Sequence, residues 1–117
     1  MDYKVILPKV LAKLFPDPDV RAEAEAILSQ YGTEKYHREV PRVRTAILRV
    51  AGDNLEEIRQ CTEYACRDYR DALCAAEYPN QAQYRWHFFL ENPDEHEKLI
   101  QEDLKQHQEW IDSIVDD

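Results

Sequence analysis

The chain has 117 residues, enough for one domain whose core needs neither disulfide nor metal staples. It holds two glycines among long runs of good helix formers, which excludes a turn-rich β fold and any glycine-rich phosphate or dinucleotide loop. The net charge of −9 sits almost wholly in residues 91–117, where ten acids face Lys98 and Lys105, so nucleic acid is not an expected partner.

The N-terminal run "VILPKVLAKLF" is broken by Pro8, Lys9 and Lys13, and it fits neither a signal peptide nor a membrane span. A short first helix is expected to start at Pro8, with Val10, Leu11, Leu14 and Phe15 on one side. "FPDPD" ends it. Asp17 as cap and Pro18 at the first position start a second helix, which carries Val20, Ala24, Ile27, Leu28 and Tyr31 at helical spacing and stops at Gly32. Thr33 is placed to cap a third element, which Pro41 should kink or break near Val40. Beyond that, Val43, Ala46, Ile47 and Val50 form a face that ends at Gly52.

Asp53 or Asn54 caps a fourth helix that reads as continuous to about Tyr78, before Pro79. Leu55, Ile58, Thr62, Ala65, Tyr69, Ala72 and Ala76 make its core stripe. Arg59, Glu63, Arg67 and Asp71, each four apart, form a solvated charge ladder opposite. "NQAQYRWHFFL" can be read as helix or as strand; helix is preferred, because no partner strand is apparent. Asn92 and Pro93, followed by Asp94 and Glu95, open the last helix. The expected fold is all-α: one domain over residues 1–117, a compact bundle of five to six helices with a short N-terminal and a long acidic C-terminal helix.

Cys61, Cys66 and Cys74 share one predicted helix at separations of ~7.5 and ~12 Å, too far to pair, and reduced thiols suggest the cytoplasm. Glu34 and His37 are one turn apart, as in carboxylate-bridged metal bundles, but the second copy such a site requires is missing, so no metal or cofactor is expected. Arg38, Arg42 and Arg49 form a basic stripe with Arg44 on a neighbouring face, a candidate anion site unless it faces an acidic helix of this chain or of a second copy. Asp68 falls between the core stripe and the ladder; if covered it needs a donor, with Arg44 or Arg85 as candidates.

Tyr84, Trp86 and Phe88 with Trp110, Ile111 and Ile114 are candidate interface residues, though dense aromatics are ordinarily core. His96 and His107 share a face with Ile100, Leu104 and Ile111, but ~16 Å of helix separates them, too much to bind one ion. No nucleophile elbow, phosphate loop, Cys-x-x-Cys or His-Glu-x-x-His motif occurs. The expected function is therefore a cytoplasmic protein–protein or homo-oligomeric module without catalysis, with no membrane partner. The alternative is a ligand-, anion- or metal-binding bundle or enzyme using Glu34, His37, Asp68 and the arginines.

Overall fold

A computed structural model describes residues 1–115, apart from the side chains of Trp86 and Val115; Asp116 and Asp117 lie outside the described residues. Side-chain caps set most of the helix starts. Asp2 accepts from the Lys4 N–H and opens α1 (Tyr3–Leu14), five residues before the expected start at Pro8. Pro8 lies inside the helix, one turn after the exposed Lys4, where a lost backbone hydrogen bond can be replaced by water. Asp17 caps α2 (Pro18–Leu28) through the N–H groups of Asp19 and Val20.

Residues 29–39 form no helix, contrary to the element expected from Thr33. Tyr31 holds them instead. It is fully buried, and its hydroxyl donates to the Arg38 carbonyl at 2.6 Å and accepts from the Arg38 N–H at 3.0 Å. His37 closes the same turn: its Nδ1 accepts from the Gly32 N–H at 2.8 Å and the Glu34 N–H at 3.3 Å. Pro41 does not kink a helix. It occupies the first turn of α3 (Val40–Ala51), where its missing N–H costs nothing.

Asn54 caps α4 (Leu55–Arg67) through the Glu57 N–H. The expected single helix 55–77 is interrupted at Asp68, whose extended backbone (φ −154°, ψ 102°) ends α4 and starts α5 (Tyr69–Glu77). No glycine or proline marks this break. The Asp68 carboxylate takes the Arg70 N–H, outcompeting continued helix, as short acidic side chains do at caps. A 3-10 turn (Gln81–Gln83), α6 (Trp86–Glu91) and α7 (Pro93–Val115) complete the chain, with a break at Tyr84 and Arg85 inside the segment expected to be one helix.

The described residues are all-α, with seven α-helices rather than five or six because 55–77 divides and α6 forms separately. Helix α3 is central and packs against α1, α4 and α5, burying Val43, Thr45, Ala46, Ile47, Leu48 and Ala51. Helix α7 closes the bundle against α1 and α5 with Ile111 and Ile114 in the core. Its inward side is set by Asp103 and His107; Leu104, expected on that face, is 59% exposed.

Between residues 78 and 102 no described side chain is fully buried. Helix α6 packs on α7 outside the main core, and the molecule measures 50 × 33 × 23 Å. Its radius of gyration is 15.1 Å, against the ~13 Å expected for a compact chain of this length. No described helix is long and apolar enough to cross a membrane.

Both glycines adopt positive φ. At Gly32 (φ 121°) an added Cβ would also meet Arg44 Nη2 at 2.8 Å and the Val40 side chain at 3.0 Å, whereas at Gly52 (φ 64°) the space is open. Gly32→Ala should therefore cost ~2–3 kcal/mol and Gly52→Ala ~1–2 kcal/mol in urea denaturation, with the larger loss at Gly32.

Candidate functional site

Helix α3 carries three arginines into the bundle, and each finds an internal partner. Arg42 donates from Nε and Nη2 to both oxygens of Glu77, each at 2.8 Å, and from Nη2 to the Tyr78 hydroxyl and Nη1 to Glu39. These carboxylates raise its pKa and hold it charged. Arg44 donates from Nε and Nη2 to the Tyr31 carbonyl, and burial lowers its pKa. Arg49 donates to the Ala76 carbonyl at the end of α5 and to His107 Nδ1 at 2.8 Å, while its guanidinium lies 5.8 Å from the centre of the Trp110 ring.

The expected stripe is thus largely turned inward. Its described partners are Glu77, Glu39, backbone carbonyls and His107, rather than the exposed acids of α7. Arg38 alone among the four is fully at the surface.

His107 is 6% exposed and has both ring nitrogens engaged. Because Nδ1 accepts from Arg49, the ring proton sits on Nε2 and points to the Tyr3 hydroxyl at 3.0 Å. Burial first, then the charges of Arg49 and Arg42, lower the His107 pKa against the opposing pull of Glu77. Burial and the Glu77 charge push the Tyr3 hydroxyl up to about 12. Asp103, 1% exposed, accepts four hydrogen bonds from the backbone and side chains of Asn80 and Gln81, fastening the 3-10 turn to α7. Such a network clamps helices together.

Asp68 is half-exposed rather than buried, and its carboxylate pairs with Arg70, not with Arg44 or Arg85. The Arg70 hydrogen bonds hold its carboxyl below the usual carboxylate range. The charge ladder rearranges too: Arg59 pairs with Glu56, and Arg67 lies over the Tyr64 ring. Glu34 and His37 do meet, but through the Glu34 backbone N–H. Among the described residues no group of three or more His, Cys, Asp or Glu is placed to hold a metal. The cysteines are unpaired, with Cys61 and Cys66 half-buried on α4 and Cys74 exposed on α5.

Two surfaces stand apart from this network. The first is a cavity of about 310 Å³ where the 29–39 turn faces the α4–α5 break, lined by His37, Tyr36, Cys66, Arg67, Tyr69 and Arg70 among others. A neighbouring cavity of about 500 Å³ shares Tyr69 and Arg70 and adds Arg38, Arg42 and Tyr78. The second is the projecting α6 end. Tyr84 stacks on Phe88 at 4.5 Å and Phe89 on His96 at 4.1 Å, while Leu90 stays 71% exposed. Of the expected interface residues, Tyr84 and Phe88 lie here, and the Trp86 side chain is outside the described set. Trp110 is half-buried against His107, and Ile111 and Ile114 are core residues unable to meet a partner.

Sequence reasoning missed Glu77 and Asp103 as buried anchors. The signal was present: Glu77 lies four residues after Leu73, and Asp103 seven after His96 and four before His107. Compared with known proteins, the chain matches no family model, no curated protein and no solved structure.

Two tests follow from the network. Glu77→Gln should cost ~2–3 kcal/mol in urea denaturation, below the usual loss for a broken buried pair because Arg42 is 28% exposed and keeps Glu39. Glu56→Gln, in an exposed pair, should cost less than ~0.5 kcal/mol. Because the folded state depresses the His107 pKa, its contribution is intact above the unfolded value of 6.5 and is lost as pH falls through the folded value. Melting temperature should therefore drop on acidification below 6.5, and His107→Gln should flatten that part of the profile.

Proposed function

We propose that the chain is a non-catalytic protein-binding module whose docking surface is the projecting segment 79–104. The observation that carries this reading is its exposed apolar surface, with Leu90 71%, Leu104 59% and Tyr84 43% exposed beside a half-buried aromatic cluster. Aromatic and aliphatic side chains left outside a core are the usual anchors of a partner surface.

Charge selects the partner. Glu91, Asp94, Glu95, Glu97 and Glu102 are exposed around this segment against Arg85, Lys98 and Lys105, five acids to three bases, so a basic, apolar-anchored segment is complementary. A twofold contact between copies through the same surface would bring like charges together, which favours a different protein over a second copy. The internal network supports a binding role, since its titratable groups are engaged with one another. Three free cysteines, two with thiol pKa values raised by burial, fit a reducing cytoplasm.

The test is a photo-crosslinking residue placed at Tyr84, at Leu90 and, as a control, at Arg59 on α4, in cells of the source organism. Tyr84 and Leu90 should capture the same basic protein and Arg59 should not. With the captured partner in hand, Leu90→Asp should weaken binding by ~10-fold or more. Adducts of twice the chain mass would replace the hetero-partner with self-association, and adducts no stronger than the Arg59 control would remove the docking surface.

A further inference from the structure

We propose that the two neighbouring cavities at the α4–α5 break, which share Tyr69 and Arg70, bind a small phosphate monoester, at a site separate from the α6–α7 surface. His37 supplies the first donor. Its Nδ1 accepts from two backbone N–H groups, so it holds a lone pair and the ring proton resides on Nε2. Among the described residues, this Nε2 is a buried side-chain polar atom with no hydrogen-bond partner. A buried donor left unsatisfied is unfavourable, and an absent ligand or water is a standard reason for finding one. His37 is among the residues that line the first cavity. Tyr36, 66% exposed, packs edge-on against the His37 ring at 4.9 Å.

The remaining donors converge from separate elements. Arg67 comes from the end of α4, where its guanidinium stacks 5.3 Å from the Tyr64 ring centre, an arrangement that leaves its in-plane N–H groups free to bond. Arg70 comes from the first turn of α5; Asp68 takes its Nε and Nη2, leaving Nη1. In the second cavity Arg38 is exposed, while Arg42 is engaged with Glu77 and Glu39 and contributes field rather than donors. Four guanidiniums thus meet three carboxylates, Glu39, Glu77 and Asp68, an excess of one positive charge on a chain of net charge −9.

Donors arriving from three directions suit a tetrahedral dianion better than a planar carboxylate, whose two oxygens lie in one plane. The organic group of the ester has a place in the larger cavity, against Tyr69, Leu73 and Tyr78. The proposed site shares Arg38 and Arg42 with the stripe expected from the sequence. Arg67 and Arg70 replace Arg44 and Arg49.

The full-length chain, 15N-labelled on histidine, is titrated with phenyl phosphate, inorganic phosphate, benzoate and chloride at constant ionic strength. Phenyl phosphate is expected to shift the His37 ring signals and to bind ~10-fold more tightly than benzoate. Arg67→Gln and Arg70→Gln should each weaken it ~5-fold or more, while Arg59→Gln changes it less than twofold. Both replaced side chains are exposed, so folding is preserved in each variant. Benzoate binding as tightly as phenyl phosphate, chloride acting equally well, an unmoved His37 signal, or unchanged affinity in both variants would each overturn the site. None of these outcomes bears on the protein-docking surface, which is read by crosslinking at Tyr84 and Leu90.

Discussion

The bundle depends on satisfying the arginines of a central helix. Helix α3 is covered by α1, α4 and α5, yet it carries Arg42, Arg44 and Arg49. Charged groups half-removed from water need partners with matched geometry. Each arginine therefore ties α3 to a different place: Arg42 to α5 through Glu77, Arg44 to the turn after α2 through the Tyr31 carbonyl, and Arg49 to the end of α5 and to α7 through His107. Apolar packing of Val43, Ile47 and Leu48 supplies the driving force for collapse. The guanidiniums supply orientation, since a bidentate pair accepts few alternative angles.

This arrangement divides the molecule into a closed interior and open margins. Tyr3, His107 and Glu77 resemble a proton-handling group when read as residue types, but each is already bonded to a neighbour. What stays uncommitted lies where the helical pattern is interrupted. The α4–α5 break leaves a donor-rich cleft, and the 79–92 stretch leaves an aromatic cluster with one side in solvent. Helix α7 bridges both regimes: its C-terminal half contributes Ile111 and Ile114 to the core, while its N-terminal half carries the projecting end. Asp103 marks the junction by fastening the 3-10 turn.

Capping chemistry made much of the fold legible, because a cap is a contact between residues two or three apart. Asp17 before Pro18, Asn54 before α4 and Pro93 at the head of α7 all act where local spacing puts them. The break at Asp68 was not legible. Alanines and a continuous apolar stripe argue for one helix; Asp68 offers a local cap, and the packing of α4 against α2 and of α5 against α7 accompanies the use of that cap in place of continued helix. Pro41 misled for a related reason: local rules offer both a kink and a first-turn position, and the burial of Tyr31 under residues 32–38 selects the second. Leu104 misled as well, since α7 turns Asp103 inward to meet Asn80 and Gln81 and leaves the leucine outside.

The sequence by itself determined the all-α class, the starts of α2, α4 and α7, the acidic end and most of the core-facing stripes of α2 and α3, apart from the exposed Val20 and Val50, because these follow from short-range periodicity and from residue types. Tertiary structure alone decided which polar residues became internal anchors. It paired Arg42 with Glu77 across 35 residues and Arg49 with His107 across 58, and it left the 79–92 segment outside the core. The physical reason is that a charge or hydrogen-bond donor is satisfied by whatever packing brings near it, and that neighbour is not written in the spacing of its own helix.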